Sequence, residues 1–291
     1  MRPFADRFIE KTRDLGPLCV GIDPHPGRIP KQFGGDTPEG ITRWGHALLE
    51  AIEGTAGIVK PQIALFERHG WQGLKAFSEL CFAAHAKGFL VLADAKRGDI
   101  GSTAEGYARA YLTAESPFKC DALTANPYMG LDTLQPLVDA AQASGKGVIV
   151  LARTSNPGAR DFQNLDVDGV PFYLRVVDAL NKLSGPLVGQ SGWSGLMLVV
   201  GATAPEEAAL VRKRAPRLLF LVPGYGAQGA GVESALAGFV GGEGGCVSAS
   251  RSINFPKAAE AATTEADWQA AVRVAARGAQ AELSGAASRA A

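Results

Sequence analysis

The stretch Phe89-Leu90-Val91-Leu92-Ala93-Asp94-Ala95-Lys96-Arg97-Gly98-Asp99 runs from a wholly apolar segment straight into a charged one, with no turn residue between them. A run that is apolar at every position suits a parallel strand covered on both faces, not a half-solvated antiparallel one. The charged end then falls at the C-terminal edge of that strand, where parallel α/β folds keep their chemistry. Asp94 and Lys96 stand two residues apart, so on a regular strand their side chains share a face.

The same pattern recurs on both sides of this stretch. Strand candidates are Leu18 to Ile22, Gly57 to Ile63, Phe89 to Ala93, Ala122 to Ala125, Gly147 to Ala152, Leu196 to Val200, Leu218 to Val222 and Cys246 to Ala249, eight in all. Helix-like stretches lie between them: Glu39 to Glu53, Leu65 to Lys87, Thr103 to Thr113, Leu131 to Ala143, Pro171 to Leu183, Ala204 to Arg214 and Gly231 to Phe239, closed by Lys257 to Leu283. Strict alternation defines an α/β fold, and eight strand–helix units match a closed (β/α)8 TIM barrel; a doubly wound open sheet is the structural alternative. No repeat or linker divides residues 1–291, so one barrel domain is expected. Residues 1–16 read as a charged surface helix added in front, and 284–291 as a frayed tail with little to pack.

Composition limits the functional classes. The chain has 291 residues with 46% hydrophobic and 20% charged, enough apolar surface for a core and too little charge for disorder. Its 29 basic and 29 acidic residues balance, which leaves no general polycation for nucleic acid or anionic lipid, so any anion is bound locally. No apolar run approaches the roughly 20 residues of a membrane span, and the charged start leaves no room for a signal peptide's apolar core. Cys19, Cys81, Cys120 and Cys246 are scattered, with neither metal-ligand spacing nor disulfide density. A cytoplasmic protein with reduced thiols is the expectation.

Several strand ends carry candidate chemistry. The first ends Gly21-Ile22-Asp23-Pro24, the second holds Lys60 before Pro61, and the third supplies Asp94, Lys96 and Asp99. An alternating Lys60–Asp94–Lys96 array at a barrel mouth keeps each group ionised, because opposite charges within about 4 to 6 Å offset desolvation. The plain reading is a buried ion network that only satisfies itself. After the seventh strand comes Pro223-Gly224-Tyr225-Gly226-Ala227-Gln228-Gly229, and after the eighth Ser250-Arg251-Ser252. Many barrels bind phosphate at that place, with backbone N–H groups exposed by glycine and an arginine fork; a simple glycine-rich turn is the alternative. Ser155, in Ala152-Arg153-Thr154-Ser155-Asn156-Pro157, suits a hydrogen bond to a polar heterocycle or a turn cap. Residues 156–169 form a long loop on the same side, a candidate lid, as is the loop after the seventh strand. His25, His46, His69 and His85 lack metal spacing, and Gly241 to Gly245 precede a strand in the wrong order for a dinucleotide fingerprint.

Taken in order, Gly21-Ile22-Asp23, Lys60, Asp94-Ala95-Lys96-Arg97-Gly98-Asp99-Ile100, Ser155, Pro223 to Gln228 and Arg251 resemble the orotidine 5′-phosphate decarboxylase family, in particular its longer bacterial branch, the type 2 subfamily. The resemblance covers nearly the whole chain. It implies a pyrimidine nucleotide across the barrel mouth, with phosphate on Gln228 and Arg251, ribose near Asp23 and Lys60, and the ring near Ser155. Asp94 and Lys96 would flank C6, and Lys96 would stabilise the C6 carbanion and protonate it. The implied reaction, the last step of pyrimidine-nucleotide synthesis, gives uridine 5′-phosphate and carbon dioxide with no cofactor and no metal. The resemblance also implies a homodimer in which Asp99, Ile100 and Thr103 look into the neighbouring site. One departure stands out: Ser250 replaces the glycine that often precedes the arginine.

Two rivals remain. A magnesium-dependent sugar-phosphate barrel with a similar Asp-x-Lys-x-x-Asp run would want an acidic metal ligand near the end of the second strand, where Lys60 stands and repels a divalent cation. A catalytically silent nucleotide-binding barrel should show a broken charged array, whereas Lys60, Asp94, Lys96 and Asp99 are all present.

Overall fold

The computed structural model describes residues 1–226 and 229–290. Eight strands close into one parallel barrel: β1 Leu18–Ile22, β2 Ile58–Pro61, β3 Leu90–Arg97, β4 Ala122–Ala125, β5 Gly147–Arg153, β6 Ser194–Val200, β7 Leu218–Val222 and β8 Gly245–Ala249. Each pairs with its sequence neighbours, and β8 returns to β1 with Leu18 opposite Val247. The open-sheet alternative is thereby overturned. All eight expected strands are present within a few residues of their expected bounds.

β1, β2, β4, β6 and β7 are buried at every position. Their outward residues, such as Val20, Val59 and Leu123, pack on the helices, and their inward residues, such as Cys19, Ile58, Ala122 and Met197, form the barrel's interior layer. Full burial of each Val, Leu or Ile side chain contributes about 1.5 to 3 kcal/mol, which is why these runs need no polar alternation.

Two expectations are corrected at the ends of the chain. The leading helix, Phe4–Leu15, is not a surface element: Phe4, Ala5, Phe8 and Ile9 are buried in the inner cluster, so the helix plugs the barrel floor. Its charges lie on the other face, which masked an apolar stripe at helical spacing. The tail does not fray at 284 either. The last helix runs Glu265–Arg289, with Leu283, Ala286 and Ala287 buried. Alanine has the highest helix propensity, and here its small size lets the helix lie close to its neighbours.

The 156–169 segment is likewise more ordered than a long loop. It holds a short helix, Ala159–Phe162, and a small hairpin pairing Asp166–Val167 with Val170–Pro171. Asp168 and Gly169 both take positive φ at its tip, the two-residue turn that Asp-Gly favours.

Candidate active site

The C-terminal rim of the barrel opens into a cavity of about 550 Å³ lined by Asp23, Lys60, Asp94, Lys96, Thr124, Ser155, Pro223 to Tyr225, Ser250 and Arg251, among others. Of the residues singled out from the sequence, Asp23, Lys60, Asp94, Lys96, Ser155 and Arg251 therefore meet in one space. Asp99, Ile100 and Thr103 do not line it; Ile100 is exposed, and the Asp99 carboxylate accepts from the Ile100 amide at 2.8 Å. Gln228 lies outside the described residues.

Asp94 is the hub. Its Oδ2 accepts from Lys60 Nζ at 2.8 Å and Gln62 Nε2 at 3.0 Å, and its Oδ1 accepts from Lys96 Nζ at 2.5 Å and Thr124 Oγ1 at 3.2 Å. Burial by itself favours the neutral acid, but the charges of Lys60 and Lys96 and their hydrogen bonds outweigh it and hold Asp94 well below the usual carboxylate range. For Lys60 burial likewise disfavours the charge, and Asp94, then Asp23, outweigh it and raise its pKa above the usual lysine value. The pair stays ionised because neither partner can lose its charge without stranding the other. Lys60 and Asp94 are buried, whereas the Lys96 side chain is 46% exposed, so of the two ammoniums lining the cavity Lys96 is the more accessible.

The route by which Lys96 reaches Asp94 differs from the regular-strand expectation. Lys96 has φ 47°, left-handed for a residue with a Cβ, and β3 carries a bulge there. The side chains still converge, but through this kink. Thr124 and Gln62, which complete the shell around Asp94, had no signal beyond their place at the ends of β4 and β2.

Around the rim, Asp23 is fixed from β8's side. Ser250 Oγ donates to Asp23 Oδ2 at 2.5 Å, and Asn254 bridges the β1 end, accepting from the Asp23 amide at 3.0 Å and donating to Gly21 O at 2.7 Å. The other carboxylate oxygen, Asp23 Oδ1, is buried with no partner among the described residues. Arg251 opens a short helix, Arg251–Asn254, directly after β8. Opposite, Thr154 is held on both sides of its Cα: its amide donates to Gln163 Oε1 at 2.9 Å and its hydroxyl accepts from Gln163 Nε2 at 2.7 Å, which fixes the backbone next to Ser155. Asn164 Nδ2 donates to Glu207 Oε1 at 2.9 Å, and Arg153 Nε pairs with the same carboxylate, so the segment after β5 is tied to the helix Pro205–Arg214 that follows β6. The loop after β7 is tied as well, Tyr225 Oη donating to Glu282 Oε2 at 2.5 Å on the last helix.

A closed parallel barrel that gathers titratable groups at its C-terminal rim and plugs its floor is a (β/α)8 barrel of the enzyme type. Residues 16–265 match the model of the orotidine 5′-phosphate decarboxylase / HUMPS family. The orotidine 5′-phosphate decarboxylase of Rhodopirellula baltica is 38% identical over 273 residues, covering 88% of this chain and 90% of that protein; that of Corynebacterium glutamicum is 38% identical over 232 residues, covering 78% and 81%. The structure of Leishmania donovani OMP decarboxylase superposes with a TM-score of 0.79 at 33% identity, covering 99% of this chain and all of that one. Leishmania donovani UMP synthase also superposes, with a TM-score of 0.78 at 34% identity over 97% of this chain, which spans only 57% of that longer protein. The chain belongs to the orotidine 5′-phosphate decarboxylase / HUMPS family.

Among the described residues no helix is long and apolar enough to cross a membrane, and no group of three or more His, Cys, Asp or Glu is arranged to hold a metal. All four cysteines are buried free thiols.

Proposed function

We propose that this chain decarboxylates orotidine 5′-phosphate to uridine 5′-phosphate, with Lys96 stabilising the developing C6 carbanion and delivering the proton that replaces the carboxylate. The observation that carries this reading is the Lys60–Asp94–Lys96 array: one buried carboxylate between two ammoniums that both line the cavity, Lys96 being the more exposed of the two. Fixed charges need no reorganisation as charge develops on the substrate, so they favour the transition state over the ground state. Asp94 keeps Lys96 aimed, and its own negative charge would face the leaving carboxylate.

The rest of the rim suits the nucleotide. Arg251 offers a bidentate fork to the phosphate, with Gln228 expected beside it. The unpartnered Asp23 Oδ1 is suited to a ribose hydroxyl, with Lys60 nearby, and Ser155 on its braced backbone to a polar edge of the pyrimidine. Asp99, Ile100 and Thr103, which lie outside their own chain's cavity, are assigned to the neighbouring site of a homodimer. A cytoplasmic location fits a soluble substrate of this kind. No cofactor is needed, because the array itself supplies the charge stabilisation.

A magnesium-dependent family member would need an acidic ligand where Lys60 stands. The deciding experiment follows the ultraviolet change as orotidylate becomes uridylate, with and without a chelator. Turnover unaffected by chelation is expected; turnover abolished by it would move the chain to the metal-dependent side of the family, and none at all would leave a binding barrel.

A further inference from the structure

The backbone that carries Lys96 is strained, and one side chain on the neighbouring strand holds it. Along β3 and β4 the pairing runs Leu92 to Ala122 and Ala93 to Leu123, then resumes at Arg97 opposite Ala125. Four steps on β3 (93 to 97) match two on β4 (123 to 125), so β3 carries two extra residues, and Lys96 inside this bulge has φ 47°. A bulge takes backbone amides out of the ladder, and a buried N–H left without an acceptor is costly. Here the amides of Ala95 and Lys96 both donate to Thr124 Oγ1, each at 2.8 Å. Successive amides of an extended strand point to opposite sides; only the kinked backbone aims both at one atom.

The hydroxyl's remaining capacity is equally committed. With both lone pairs accepting, its single proton is shared between Asp94 Oδ1 at 3.2 Å and Ala93 O at 3.3 Å. Thr124 is 1% exposed, so water does not substitute for it. One oxygen thus contacts the hub carboxylate and fixes the amide of the residue whose ammonium reaches that carboxylate.

We infer that Thr124 is a positioning residue for the reaction: its hydroxyl holds the left-handed bulge that aims Lys96 Nζ into the cavity and keeps it against Asp94. This rests on the proposed decarboxylation, though its geometric half does not. Without the hydroxyl the two amides lose their acceptor, the bulge relaxes toward a regular strand, and Lys96 swings from its aim while the phosphate and ribose contacts stay in place.

The test uses Thr124→Val, which keeps the volume, Thr124→Ala, which avoids pressing a methyl on the amides, and Thr124→Ser, which keeps the hydroxyl. The expected result is a fall in kcat of at least tenfold for Val and Ala with KM within threefold, and kcat within threefold of wild type for Ser. Amide hydrogen exchange read by NMR supplies a measure independent of turnover: Ala95 and Lys96 should exchange at least tenfold faster in Val and Ala, with β4 to β8 unchanged, and stay protected in Ser. Wild-type kcat in Val or Ala, a Ser variant as impaired as Val, a loss confined to KM, or failure of both Val and Ala to fold would each overturn the assignment. If the wild type itself does not turn over orotidylate, the proposed function fails and the exchange data alone decide whether Thr124 holds the bulge.

Discussion

Ser250 donates its hydroxyl to Asp23 across the seam where β8 closes on β1, at 2.5 Å. A glycine at position 250 would leave the carboxylate's Oδ2 without that donor. Gly21 beneath it has no room to change, since a Cβ there would sit 2.7 Å from Ser250 Cβ. The prediction is that Ser250→Gly folds normally, because among the described residues the hydroxyl bonds only to Asp23, but lets Asp23 reorient. One hydrogen bond to a charged group contributes roughly 1.5 to 3 kcal/mol at most, so KM should rise about tenfold or somewhat more while kcat stays put. A kcat loss with unchanged KM would show that Asp23 acts on the reacting centre instead of the ribose.

Lys96→Ala removes the more exposed of the two ammoniums of the array. Loss of a proton donor together with preorganised charge is expected to lower kcat by at least about 10³-fold. Asp94 would keep Lys60 and Gln62 as partners, so the fold and the binding of product analogues should survive. Calorimetry with uridine 5′-phosphate beside the turnover assay checks both halves; activity within tenfold of wild type would refute the role given to Lys96.

Strand count, closure and the meeting of Asp23, Lys60, Asp94, Lys96 and Arg251 were legible in the sequence because each depends on local pattern: apolar runs, alternation with helices, and charge at a strand's end; Ser155, uncharged, was placed there only by the family resemblance. The bulge was not. A left-handed Lys96 follows from the register between β3 and β4, a tertiary property, and Thr124 reads as an ordinary β-branched strand residue. Gln163 was hidden for the same reason, since its two bonds to Thr154 span a loop with no periodic signal. The helix at 4–15 was misjudged because its charge count hid the stripe of Phe4, Ala5, Phe8 and Ile9. The tail was misjudged because small residues were read as unable to pack.

The ionised pair at the hub sets a pH expectation. Asp94 is held below its unfolded value of about 3.9, so the stability it contributes is complete above that value and lost as pH falls through it toward the folded one. Lys60 is raised, so its contribution is complete below the unfolded value of about 10.4 and lost as pH rises past it. Neither group changes charge between about pH 5 and 9, and kcat should show no inflection from the Lys60–Asp94 pair in that window. The substrate's phosphate, whose second pKa is about 6, does change, so kcat/KM should fall below that pH while kcat holds. Initial rates from pH 4.5 to 9 test this; an acid limb in kcat near pH 6 would mean that a group outside the pair governs the chemical step.

Arg251 lines the same cavity as the array, at the start of the short helix after β8, and its proposed partner is the phosphate. A guanidinium–phosphate contact is a charge-assisted, bidentate bond worth roughly 1.5 to 3 kcal/mol. Arg251→Ala should therefore weaken nucleotide binding about 10- to 100-fold, while the phosphate-free nucleoside, which never made the contact, should bind both proteins alike. Phosphate binding energy that is remote from the breaking bond can also serve the chemical step by drawing the rim together. In that case kcat falls along with the rise in KM, and added inorganic phosphite, occupying the vacated anion site beside a truncated substrate, should speed the wild type far more than Arg251→Ala. Equal weakening of nucleotide and nucleoside would instead place Arg251 against the base or ribose, and the phosphate would have to be assigned to the loop after β7 alone.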